Sequence, residues 1–140
     1  MDENNILYEE KKEKVLEFIN SKDYFPMGLK DIEAIMQVPH EDREIFSNII
    51  DDLEKEGKII KSKKGKIMKP EEMKLYVGQL TGNSRGFGFV KVDGLEEDIF
   101  IPANAMNNAM HKDTVMVKLN PSSRGKRQEG EVVKIIKRGM

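Results

Sequence analysis

The side chains in this sequence that could do chemistry are suited to binding rather than to making or breaking bonds. The run Gly82-Asn83-Ser84-Arg85-Gly86-Phe87-Gly88-Phe89-Val90-Lys91-Val92 alternates two aromatic residues with two cations. On a strand, alternation puts Arg85, Phe87, Phe89 and Lys91 on one face and Gly86, Gly88, Val90 and Val92 on the other. Rings between cations suit single-stranded nucleic acid, because bases stack on aromatic faces for roughly 1–3 kcal/mol each without regard to sequence, while phosphates meet the cations. Turning the strand over would bury Arg85 and Lys91 and expose Val90 and Val92, which the cost of unpaired buried charge disfavours. The missing Cβ at Gly88 lets another strand close against the inward face. Asp98-Ile99-Phe100-Ile101-Pro102, after a turn, offers a third ring.

Nothing comparable points to catalysis. His40 and His111 stand far apart without Cys or paired acids, so no metal site is expected. Asp51 and Asp52 are adjacent on a helix and diverge by about 100°. No Ser is matched to a base.

The chain has 140 residues, 35% of them charged, no Cys and a net charge of −1. That length fits one ordinary domain or two small ones. The lack of Cys, of a basic and apolar leader and of a membrane-length apolar run leads us to expect a cytoplasmic protein. The small net charge hides an asymmetry. Residues 1–57 carry 7 Lys/Arg against 16 Asp/Glu, residues 58–70 carry 6 Lys and no acid, and residues 71–140 carry 11 basic and 9 acidic residues. A polyanion should therefore be drawn to the middle and the second half.

The elements that must position these residues follow from periodicity. Leu7, Lys11, Val15, Phe18 and Ile19 suggest a first helix ending near Asn20-Ser21. A short second helix runs from about Leu29 to Gln37, with Gly28 as a weak N-cap. A third opens at Glu41-Asp42, buries Phe46, Ile49, Ile50 and Leu53, and stops at Gly57. Lys58–Ser62 and Lys66–Lys69 read as a hairpin with a basic tip. Three helices and a hairpin make a winged helix-turn-helix plan for residues 1–70, and Pro70-Glu71-Glu72 reads as a hinge. Residues 71–140 read as five strands: Leu75–Leu80, Gly86–Val92, Asp98–Ile101, Thr114–Leu119 and Glu131–Lys137. Ala103–Met110 between them reads as a helical turn or ordered loop. Five short strands suggest a closed OB-type barrel, whose second and third strands and strand 1–2 and 4–5 loops hold oligonucleotides. The fold class expected is therefore α + β in two domains.

The Arg-Gly-Phe-Gly-Phe-Val core with Asp98-Ile99-Phe100-Ile101 resembles the ribonucleoprotein motifs of cold-shock domains. Read with Gly78–Asn83, Ala109–Val117 and Gln128–Arg138, it resembles the first cold-shock domain of the ribonuclease R family, and the helices and basic hairpin resemble the helix-turn-helix domain preceding it there. The resemblance implies the RNA-guiding front end of a processive 3′→5′ exoribonuclease whose Mg²⁺-binding catalytic domain is absent from this chain, so the chain itself is expected to be neither an enzyme nor a cofactor binder. Two departures weaken the platform: Pro102 and Ala103 replace a His and an aromatic, and the chain has no Trp. Lys112 also stands where the family usually has Gly.

The expected roles are stacking by Phe87, Phe89 and Phe100 and phosphate contact by Arg85, Lys91, Arg124, Lys126 and Arg127. Lys61, Lys63, Lys64 and Lys66 on the wing would add a second basic contact. Single-stranded RNA is the expected ligand, with single-stranded DNA as a further candidate. Duplex reading by the third helix is disfavoured by its acids, Glu41, Asp42, Glu44, Asp51, Asp52, Glu54 and Glu56. Two other functional classes remain open. One is a stand-alone regulator, either a winged-helix transcription factor or a cold-shock-type RNA chaperone. The other is an interaction module whose acidic helices dock a protein or the remainder of a longer chain.

Overall fold

A computed structural model describes residues 3–120 and 128–139. The chain divides between Pro70 and Glu71 into two compact units. The division falls at the Pro70-Glu71-Glu72 segment expected there, which lies in a 3-10 turn, Pro70–Met73, with Pro70 buried.

The first unit holds helices α1 (Glu3–Ile19), α2 (Leu29–Ile35) and α3 (Arg43–Lys55), then strands β1 (Ile60–Lys61) and β2 (Ile67–Met68). The α3 stripe is buried as its spacing requires, with Phe46, Ile49, Ile50 and Leu53 all in the core. A 3-10 turn, His40–Asp42, precedes α3 and takes up the acids expected to open it. Gly57, with φ of +75°, ends it. There the Lys58 N–H reaches the Leu53 carbonyl and the Gly57 N–H the Glu54 carbonyl, both at 3.0 Å, the paired bonds of a Schellman motif. Helix α2 ends two residues earlier than expected by the same device. Gln37 adopts φ of +55°, and the Val38 N–H bonds the Glu33 carbonyl at 2.9 Å.

Helix α1 packs the expected Val15, Phe18 and Ile19 against the core but departs from its expected face in its first turns. Leu7 and Lys11 are exposed, and the inward positions are Tyr8, Lys12, Val15 and Ile19. The cause is the acidic side of α3: the Tyr8 hydroxyl donates to Asp52 and the Lys12 ammonium to Glu56. Burial, then the bond to Asp52, pushes the Tyr8 hydroxyl up. The Glu56 bond holds Lys12 above its ordinary value. Burial raises Glu56, but its bonds from Lys12 and Lys58 outweigh that and hold it low.

The second unit is a curled, five-stranded antiparallel half-barrel, ordered β5-β4-β3-β6-β7. Its strands are β3 (Leu75–Gly82), β4 (Gly88–Lys91), β5 (Ile99–Ile101), β6 (Thr114–Leu119) and β7 (Gly130–Lys137). The segment between β5 and β6 includes a 3-10 turn, Ala103–Ala105. Two register shifts between β6 and β7 add the extra twist that bulges impart. The edges meet where the Phe100 N–H reaches the Gln128 carbonyl at 2.8 Å and Phe100 bridges Glu129 in parallel. Leu80, Val90, Val92, Ile99, Ile101, Val115, Val117 and Val132 fill the concave side.

One buried charge organises the turn before β6. Asp113 is 2% exposed. Its carboxylate accepts the Met110 N–H at 2.8 Å, the Gly139 N–H at 2.9 Å and the Arg138 guanidinium at 2.9 Å. The Met110 bond does most to hold this carboxyl below its ordinary value, against the effect of burial. Beside it Lys112 has φ of +75°, a left-handed conformation that favours Gly.

Asp113→Asn is expected to lower the melting temperature at neutral pH. A depressed carboxyl stabilises fully above its unfolded pKa of about 3.9 and loses that contribution as pH falls through the lower folded value. The difference between wild type and Asp113→Asn should therefore narrow in acid, and a constant difference would contradict the assignment. Lys112→Gly should raise stability by up to about 1 kcal/mol in a denaturant titration, with a loss counting against left-handed strain at that turn.

Candidate nucleic-acid interface

In the second unit the site is built on β4 and β5. Val90, Ile99 and Ile101 point into the core and are fully buried. Alternation then sends Phe89 and Phe100 to the opposite face, where they stand directly across from one another in the β4–β5 pairing. Phe87, just ahead of β4, completes a cluster. Its ring centroid lies 6.0 Å from that of Phe89 and 5.6 Å from that of Phe100, and the Phe89–Phe100 separation is 5.5 Å. Phe87 and Phe89 meet edge-to-face at 85°, an arrangement aromatic pairs prefer, and Phe100 is tilted against them by 53° and 56°. All three remain half-buried, so part of the cluster is open to solvent.

Gly88 makes the inward side possible. A Cβ there would lie 2.8 Å from the Leu80 Cδ1 and 3.0 Å from the Thr81 carbonyl oxygen. Any larger residue would push β4 away from β3.

The cations are placed less uniformly than alternation suggested. Lys91 is exposed at the end of β4, as expected. Arg85 does not lie on the strand, because β4 begins at Gly88. It sits in the turn joining β3 to β4, exposed, with its N–H donated to the Asn83 side chain at 2.9 Å. Gly86 in that turn has φ of +95° and donates to the Asn83 carbonyl at 3.1 Å, which interrupts the extended run. Arg124, Lys126 and Arg127 lie outside the described residues.

Two local features were not anticipated. Glu96, Glu97 and Asp98, on the β4–β5 connection, line a shallow cleft with Phe89. The ring face is thus bordered by carboxylates as well as by Lys91, and phosphate is repelled along that margin. At the other end, His111 is not a metal ligand candidate but an anchor: its Nδ1 accepts the Gly82 N–H at 3.2 Å where β3 runs into the turn. The acidic run was legible as charge, whereas its position beside Phe89 depends on the length of the turn.

In the first unit the basic hairpin forms with Ile60 opposite Met68 and Lys61 opposite Ile67. Lys63, Lys64 and Lys66 are exposed at its tip. Lys61 faces α3 instead, 3.5 Å from Asp51 and 3.9 Å from Glu54. It neutralises the acidic helix rather than extending the basic tip. Asp51 and Asp52 engage different elements, Lys61 and Tyr8 respectively. Among the described residues, no helix is long and apolar enough to cross a membrane.

Comparison with known proteins places this site in context. The family described as the ribonuclease B OB domain matches residues 78–135, which include all three rings. Ribonuclease R of Acidithiobacillus ferrooxidans is 27% identical over 149 aligned residues, covering 100% of this chain and 34% of that protein. Ribonuclease R of Thermotoga maritima is 36% identical over 132 residues, covering 93% of this chain and 18% of that protein. A solved structure of yeast Ssd1, a pseudonuclease, aligns with 49% of this chain and 14% of its own at a TM-score of 0.40 and 23% identity. The chain therefore spans about a third or less of the length of these curated relatives, and it resembles their ribonuclease R sequences across both units.

Proposed function

We propose that this chain is the RNA-binding front region of a ribonuclease R-like 3′→5′ exoribonuclease. The first unit is read as a winged helix-turn-helix and the second as a cold-shock-type OB domain. The observation that carries the reading is the cluster of Phe87, Phe89 and Phe100, half-open on the convex side of a sheet whose other side is filled with aliphatic residues. Three adjoining rings left half-open to solvent form the kind of apolar patch that marks a binding surface. Nucleobases cover such rings without sequence preference. The likeness to ribonuclease R sequences supports the assignment.

In this reading the rings stack bases and Arg85, with Arg124, Lys126 and Arg127, takes the phosphates. Lys91 is the cation on the acidic margin, so its contribution is smaller than that of Arg85. Lys63, Lys64 and Lys66 supply a second basic contact from the first unit. In this reading hydrolysis is the work of a Mg²⁺-dependent catalytic domain of the exoribonuclease, and the setting is cytoplasmic. The acids along α3, of which Lys61 meets only Asp51 and Glu54, leave that helix poorly suited to a duplex groove.

Phe87→Ala combined with Phe89→Ala is expected to weaken binding of single-stranded oligouridine by roughly 2–6 kcal/mol. Because the rings lean on one another, the loss should fall toward the lower end. Binding is measured by titration, with circular dichroism to show that the sheet persists. Unchanged affinity in a folded double variant would refute the platform. Equal affinity for the matching DNA would broaden the ligand class to single strands in general.

A further inference from the structure

The first unit carries a ring that the charge pattern alone does not reveal. Phe25 is 66% exposed, and among the described residues every other aromatic side chain is buried or half-buried. Its neighbours on both sides are tied down. Tyr24 packs edge-on against Phe18 at 5.3 Å and donates its hydroxyl to the Ile67 carbonyl at 2.6 Å. Met27 is buried and bridges Ile67, whose N–H reaches the Met27 carbonyl at 2.8 Å. Pro26 between them fixes its own φ. Phe25 is thus presented to solvent by a backbone secured to strand β2 before and after it.

That same strand is the basic one. Lys66 directly precedes Ile67 and Lys69 follows Met68, and residues 58–70 contain 6 Lys and no acid. Two residues span at most about 7 Å, so Phe25 and these lysines flank one bridge. Asp23, two residues ahead of Phe25, is the acid nearest to it in sequence.

We infer that Phe25, with Lys66 and Lys69, forms a second single-strand contact, in which the ring stacks on a base and the lysines hold the adjoining phosphates. The inference takes its ligand class from the proposed function but not its site. It turns the hairpin from a diffuse electrostatic patch into a contact with a defined stacking residue.

The chain contains no Trp, so Phe25→Trp supplies a single indole reporter in the full chain. Titration with oligouridine should quench its emission in step with binding. Phe25→Ala should weaken binding about fivefold or more without altering the salt dependence, since no charge is removed. Lys66→Ala should instead reduce the slope of log affinity against log salt by about 0.7. Emission that does not move at saturating oligouridine, with Phe25→Ala binding as tightly as the unaltered chain, overturns the inference and leaves Phe25 as a protein-docking residue. The two readings separate cleanly. Loss of affinity in Phe87→Ala/Phe89→Ala without quenching at position 25 retains the platform alone. Quenching with no platform effect retains the hairpin contact alone.

Discussion

The strand alternation shared by β4 and β5 constrains everything else in the second unit. Val90, Ile99 and Ile101 are fully buried, and each inward aliphatic residue sets its neighbours facing out. Phe89 and Phe100 are therefore outward by geometry rather than by any preference of their own. A slip of one residue would exchange the two sets, exposing the aliphatics and burying Lys91. Gly88 secures the register from within, since only a residue without Cβ allows Leu80 to come so close. The face that meets a ligand is in this sense a by-product of how the core must close.

The two units handle charge differently. In the first, acids on α3 are met from both sides, by Tyr8 and Lys12 of α1 and by Lys58 and Lys61 of the hairpin. The more exposed of these pairs, those of Lys58 and Lys61, contribute little stability each. Their consequence is spatial: the lysines nearest the helix are taken up, and the net positive charge left over sits at the hairpin tip. In the second unit the carboxylates of Glu96, Glu97 and Asp98 adjoin Phe89, while Arg85 stands exposed in the β3–β4 turn. The likeness to ribonuclease R sequences runs across both units.

Much of this was legible in the sequence, and the exceptions have physical causes. The α3 stripe, the hairpin, the β6 strand and the outward placement of Phe87, Phe89 and Phe100 followed from periodicity, because burial there is decided by local alternation. On α1 the expected Val15, Phe18 and Ile19 do face the core, but Leu7 and Lys11 do not, because Tyr8 and Lys12 turn inward to meet acids beyond that helix, and no apolar count records that. Arg85 was assigned to a strand that begins three residues later, since the Asn83–Gly86 turn is set by a side-chain bond and a left-handed glycine. The expected closed barrel is a half-barrel whose edges meet, among the described residues, at the Phe100–Glu129 bridge. Asp113 was overlooked because its three partners come from Met110, Arg138 and Gly139, and only the first is near in sequence.

The central claim is that the half-open aromatic face of β4 and β5 is where a single strand lands. An amide chemical-shift titration of the full chain with oligouridine tests it most directly. The account predicts saturable shifts concentrated at residues 85–91 and 99–101, with a second set around Phe25 and the hairpin. Shifts confined to α3, or spread without pattern while residues 87–91 and 99–101 stay fixed, would contradict it.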